Sequence, residues 1–192
     1  MHKKEKCNLF STFSMKSVGN CGELCNFTAE NFILSKVSKL QFIGSSDAKA
    51  DSKGRVFLPA NFRHVMQEAG EESMVMRKDV FQDCLVIYPE SVWTEQLSVL
   101  RAKLSRWNKQ EQQIFRQFAA DAEILTTDSN GRILLPRRYR ELAGINMDVR
   151  FIGMDDTIEI WAREKMDIPF VAPEEFGNKL EELMETAKDF AL

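Results

Sequence analysis

Two carboxylate–guanidinium pairs have the residue types and spacing to do chemistry: Asp51 with Arg55, and Asp128 with Arg132. They hold the same places in two nearly identical stretches 77 positions apart, DSKGRVFLP at residues 51–59 and DSNGRILLP at 128–136. Arginine carries a planar fork of donors that matches two acceptors on a guanine edge in the major groove, and the fork also pairs with phosphate. An aspartate four positions earlier can orient that fork or accept from a cytosine amino group. The same pair can instead brace its turn as a local ion pair, and the two readings are compatible. Further basic residues crowd both stretches. Over residues 49–63, Lys49, Lys53, Arg55 and Arg63 stand against Asp51; over 128–140, Arg132, Arg137, Arg138 and Arg140 stand against Asp128. Such clusters neutralise phosphates and make binding salt-dependent. Arg137 and Arg138 fall at a predicted helix N-terminus, where they oppose the macrodipole, a mild cost that points to another use. The candidate nucleic-acid contacts are therefore Asp51, Lys53, Arg55, Asp128, Arg132, Arg137 and Arg138.

The elements around these residues repeat as well. Over residues 51–63 against 128–140, seven of thirteen positions are identical. In both copies the Asp-to-Gly tetrapeptide carries turn chemistry, since aspartate can bond the backbone ahead and Gly54 and Gly131 permit positive φ. RVFLP and RILLP read as strands, and Pro59 and Pro136 end them and suit a first helical turn. Helices follow, PANFRHVMQEAG with Phe62, Val65, Met66 and Ala69 on one side, and PRRYRELAG closed by Gly144. SMVMRKD with CLVIYP, and DVRFIGMDD with TIEIWA, read as strand pairs, while LQFIGSSDAKAD and AEILTTD read as leading strands. Between the copies, ESVWTEQLSVLRAKL and KQEQQIFRQFAADA present apolar faces at helical spacing: Trp93, Leu97, Leu100 and Leu104, then Ile114, Phe118 and Ala122. EEFGNKLEELMETAKDF predicts an acidic amphipathic helix, docked on the body or used in association. A unit of roughly fifty residues buries little apolar surface alone. Two units in one chain can bury it against each other as an intramolecular pseudo-dimer. Trp93, Trp107, Trp161, Phe115 and Phe118 suit a core or subunit interface better than base stacking.

The chain has 192 residues, 44% hydrophobic and 29% charged, with a net charge of −3. That sum conceals the basic clusters, because residues 172–192 hold six acidic against two basic residues. Residues 1–39 hold six basic against three acidic residues and lack clear periodicity, apart from a possible short helix over 29–39. They read as a poorly ordered extension or as an artefact of start-site assignment, with Leu40 as an alternative start. No apolar run approaches the roughly 20 residues of a membrane span, and the N-terminus lacks the apolar core of a signal peptide. The expected location is the cytoplasm, with nucleoid association. Zinc held by Cys7, Cys21, Cys25 and His2 would lack paired close ligands, so free thiols are the better reading of those cysteines and of Cys84. His2 and His64 are the only histidines, neither recurs in the other copy, and no P-loop, GxSxG, HExxH or GxGxxG pattern occurs. No enzyme and no cofactor are expected.

The D-x-x-G-R-V/I-x-L-P signature, present twice, resembles the SpoVT/AbrB swapped-hairpin domain. Two copies around a helical linker, closed by CLVIYPESVW and TIEIWAREKM, resemble the MraZ family of bacterial transcriptional regulators over about Gln41–Lys165. The resemblance implies an α+β fold, a duplicated swapped-hairpin (double-split) β-barrel with peripheral helices. Its units would span 40–90 and 122–166, with a helical linker at 91–121 and an acidic C-terminal tail at 167–192. It implies a ring-like homo-oligomer bound to double-stranded DNA, on repeated boxes upstream of its own operon in the division and cell-wall cluster. The family's Asp-x-x-x-Arg contact motif falls on Asp51 with Arg55 and Asp128 with Arg132. The competing expectation is a structural or protein-interaction ring without specific DNA binding.

Overall fold

The structure is a computed structural model and describes residues 40–166 and 170–188. The expectations for residues 1–39, including the helix over 29–39 and the Cys7, Cys21, Cys25 and His2 group, lie outside the described residues.

Each copy begins with two strands, β1 (Ser45–Lys49) and β2 (Arg55–Phe57) in the first, β5 (Ala122–Leu125) and β6 (Arg132–Leu134) in the second. A helix follows, α1 (Ala60–Ala69) or α4 (Arg137–Ala143), and then an antiparallel pair, β3 (Met74–Lys78) with β4 (Leu85–Pro89) or β7 (Asp148–Met154) with β8 (Thr157–Ala162). Helices α2 (Glu90–Lys103) and α3 (Lys109–Ala120) join the copies; a 3-10 turn (Arg163–Met166) and α5 (Pro173–Lys188) follow β8. Prolines 59, 89 and 136 stand immediately before α1, α2 and α4 with φ of −51°, −52° and −60°. The ring presets that angle, and its missing N–H would have had no partner inside the helix. Gly70 and Gly144 end α1 and α4 in the left-handed conformation. Asn108 starts α3 by accepting from the N–H groups of Gln110 and Glu111.

The copies do not fold side by side. Among the described residues, six strands form one antiparallel sheet in the order β1-β7-β8-β4-β3-β5, and β2 and β6 form a separate two-stranded ribbon. Exchanging each strand for its counterpart in the other copy reverses this order onto itself, which is two-fold pseudo-symmetry. The registers agree. Val86 opposite Glu159 marks the pseudo-axis in the sheet, and Val56 opposite Ile133 marks it in the ribbon. The first strand of each copy pairs with the third strand of the other, β1 with β7 and β5 with β3. The apolar core is therefore shared: Val56, Leu58, Phe62, Met76 and Ile87 pack with Ile133, Leu135, Tyr139, Phe151 and Ile160.

The apolar faces read from the spacing of the connecting helices are covered unevenly. Trp93 is buried, but Leu97, Leu100, Leu104 and Phe118 are half-buried and Ile114 is exposed. Helix α5 is present as expected, yet Phe176, Leu180, Leu183 and Met184 are exposed rather than docked on the body. Helical spacing shows that a face is apolar, and tertiary packing decides what covers it. No helix among the described residues is long and apolar enough to cross a membrane.

Candidate nucleic-acid interface

The ribbon brings the two signature strands together. Val56 opposite Ile133 faces inward and both are fully buried. Side chains alternate along a strand, so the flanking pairs, Arg55 opposite Leu134 and Phe57 opposite Arg132, share the outer face. Arg55 and Arg132 are thus diagonal neighbours on one face, roughly 7–8 Å apart by strand geometry. Phe57 and Leu134 are exposed beside them, and the Arg132 guanidinium lies 5.7 Å from the centre of the Phe57 ring.

Each arginine is held by the aspartate at the start of its own turn. Asp51 Oδ1 accepts from the N–H groups of Lys53 and Arg55, both at 2.9 Å. Its Oδ2 takes Arg55 Nε and Nη2, each at 2.7 Å. In the second copy Asp128 Oδ1 accepts from Asn130 and Arg132 N–H at 2.9 Å, and Oδ2 takes Arg132 Nε and Nη2 at 2.8 Å. The backbone N–H and side chain of Arg55, helped by Lys53 N–H, hold the Asp51 carboxyl down at about 2. Asp128 is lowered in the same way, first by the N–H of Arg132. Each guanidinium is therefore clamped along its Nε–Nη2 edge by a persistent carboxylate, with 37% of the Arg55 side chain and 22% of the Arg132 side chain exposed. Charge-assisted bonds of this kind fix a side chain's direction before any ligand arrives.

The turns are also held across the pseudo-axis. Leu58 N–H donates to Gly131 O at 3.1 Å, and Leu135 N–H donates to Gly54 O at 2.9 Å. Arg140, from α4, packs on Gly54 and donates from Nε to Leu135 O at 3.2 Å. Arg63, from α1, packs on Gly131 likewise, but its buried Nε has no hydrogen-bond partner. Both glycines have positive φ, +84° and +77°, and a Cβ at Gly54 would meet Leu135 O at 2.7 Å. The helix of each copy thus supports the turn of the other.

Matches to known proteins fall on this same region. The family described as "MraZ protein, putative antitoxin-like" matches residues 42–117 and again 118–168. The chain is 59% identical over 147 residues to the transcriptional regulator MraZ of Phocaeicola vulgatus, covering 77% of this chain and 96% of that protein. It is 57% identical over 145 residues to the one from Bacteroides thetaiotaomicron, covering 76% and 93%. The identity is 37% over 126 residues with that of Clostridium tetani, covering 66% and 84%. The chain belongs to the MraZ family.

Among the residues singled out from the sequence of this MraZ chain, Asp51, Arg55, Asp128 and Arg132 meet at the ribbon, with Lys53 exposed at a turn beside them. Arg137 shares an open depression of about 500 Å³ with Ser52 of the first turn, and its Nε bonds Glu141 at 2.6 Å. Arg138 is on another surface, paired through Nη2 with Asp121 at the end of α3 at 2.9 Å. Sequence reasoning missed the supporting role of Arg63 and Arg140. Their signal was present as an identity at matching repeat positions, but only the interleaving shows that each reaches the other copy's turn.

Proposed function

We propose that this MraZ-family chain regulates transcription by setting the β2–β6 ribbon against the major groove of promoter DNA. Arg55 and Arg132 reach base edges or phosphates with their outward edges, Asp51 and Asp128 aim them, and Lys53 and Arg137 neutralise backbone charge, whereas Arg138, paired with Asp121 on another surface, is left out of the contact. The interleaved strands are read as a SpoVT/AbrB-type swapped-hairpin barrel, built from units at 40–90 and 122–166 around a linker at 91–121. A few contacts per chain bind weakly. A ring-like homo-oligomer facing repeated boxes upstream of its own operon multiplies them through effective concentration. The observation that carries this reading is the pair of carboxylate-clamped arginines side by side on one exposed ribbon face. The names of the relatives support it, since each is a transcriptional regulator.

The test is fluorescence anisotropy with a duplex from upstream of the coding region and a scrambled duplex, at two salt concentrations. Each bidentate arginine contact contributes about 1–3 kcal/mol, roughly 5- to 150-fold in affinity. Arg55→Ala and Arg132→Ala should each cost a factor in that range on the specific duplex while the chain stays folded by circular dichroism. Lys53→Ala should weaken both duplexes alike and flatten the salt dependence. Equal weak binding to both duplexes, or no loss in the arginine variants, would favour an interaction ring and leave the pairs as braces for their turns.

A further inference from the structure

Arg77 on β3 is only 6% exposed, and its Nε has no hydrogen-bond partner. Its guanidinium sits 3.8 Å from the centre of the Phe118 ring, which stacks on Trp93 at 5.4 Å and 4°. The nearby carboxylates are engaged elsewhere: Asp79 accepts from the N–H groups of Phe81 and Gln82, and Asp121 pairs with Arg138. A buried guanidinium without a carboxylate is costly. This one lines a groove of about 490 Å³ between the end of β3, α3 and α4, rimmed by exposed Val80, Ile114 and Leu142.

Helix α5 has the complementary defect. Every side chain from Ala172 to Glu185 is exposed, including an apolar stripe of Phe176, Leu180, Leu183 and Met184 at helical spacing. The helix carries five glutamates against two lysines. Its sixteen residues extend about 24 Å. The two halves of the chain differ here. After β4 the chain lays Trp93 and Phe118 over Tyr88; after β8, among the described residues, Met166 and Phe170 pack against Trp161 before α5 begins.

We propose that α5 of one copy docks in the Arg77 groove of the next, its apolar stripe on Val80, Ile114 and Leu142 and a bordering glutamate on the Arg77 guanidinium. Charge complementarity selects this occupant: an acidic helix with an uncovered apolar face meets a groove whose apolar rim surrounds a net-positive lining, Arg77, Lys78 and Arg138 against Asp79 and Asp121, with the Arg77 guanidinium holding no carboxylate. Each copy offers one helix and one groove, so the contact joins unlike surfaces and propagates head to tail, and a suitable rotation closes it into a ring. The inference rests on the homo-oligomer in the proposed function and names its interface, which is separate from the DNA ribbon.

The test uses the full chain and native mass spectrometry. One variant blocks the groove, Ile114→Asp with Leu142→Asp; the other blocks the helix, Leu180→Asp with Leu183→Asp. Circular dichroism and melting establish that both are folded. Wild type should be a large oligomer and each variant a monomer. An equimolar mixture should give a one-to-one dimer that grows no further, because one member keeps a helix and the other a groove. Arg77→Leu should weaken wild-type assembly at least tenfold. A monomeric wild type overturns the proposal. Variants that keep the wild-type mass also overturn it, as when α5 lies on its own chain, and so does a mixture that stays monomeric. In each of those cases, anisotropy on the ribbon variants still reports DNA binding separately.

Discussion

Asp51 and Asp128 each combine several functions in one side chain. They shape the turn by accepting backbone N–H groups, and they clamp the arginine that faces outward. The folded carboxyl of Asp51 is held at about 2 against an ordinary value of 3.8, so its ionisation favours the fold above pH 3.8 and that contribution disappears as pH falls toward 2. Asp128 acts in the same direction. Melting temperatures between pH 5 and pH 2 should therefore fall less steeply for Asp51→Asn with Asp128→Asn than for wild type. The turn glycines separate two causes of strain. Alanine at either position is disfavoured by about 1–2 kcal/mol for the left-handed backbone alone. At Gly54 the added methyl meets the carbonyl of Leu135, which is backbone, whereas at Gly131 it meets the side chain of Arg63, which can move. Gly54→Ala should lower stability more than Gly131→Ala in urea denaturation.

At the scale of elements, local chemistry sets where each strand and helix begins and ends, but not how firmly it is held. Helix α3 is attached through Phe118, placed between the Trp93 ring and the Arg77 guanidinium, and through Phe115 under the Arg101 guanidinium. A stacked aromatic pair and a cation–π contact together contribute about 2 kcal/mol. Phe118→Ala should cost about that much in denaturant unfolding. Amide hydrogen exchange should rise first across Lys109–Ala120, while β4 and β8 stay protected. Equal acceleration in the central strands would mean that α3 is integral to the core rather than appended to it.

For the whole molecule, the interleaving makes the two copies one cooperative unit. β3 pairs with β5, β7 with β1, and β4 with β8, so either copy alone loses strand partners on both sides of its own hairpin. Cleavage in the connection between α2 and α3 should give two fragments, neither folded as a monomer, that recover the native circular-dichroism spectrum when mixed in equal amounts. The intact chain should unfold in one calorimetric transition with equal van't Hoff and calorimetric enthalpies. A fragment that folds alone as a monomer, or two resolved transitions, would contradict the shared core.

Short-range chemistry made much of this legible in the sequence. Aspartate and glycine at fixed offsets specify the turns, and prolines 59 and 136 the passage from strand to helix, because each of these effects acts within a few residues. The duplication and the Asp51–Arg55 and Asp128–Arg132 pairs were legible for the same reason. Tertiary structure alone decided that strands pair with the opposite copy, that Arg55 and Arg132 share one ribbon face, that Arg63 and Arg140 support each other's turns, and that Arg77 is buried without a carboxylate. Strand pairing is non-local: the pleat determines which side of a strand is apolar, and the partner is whichever distant strand completes the same core.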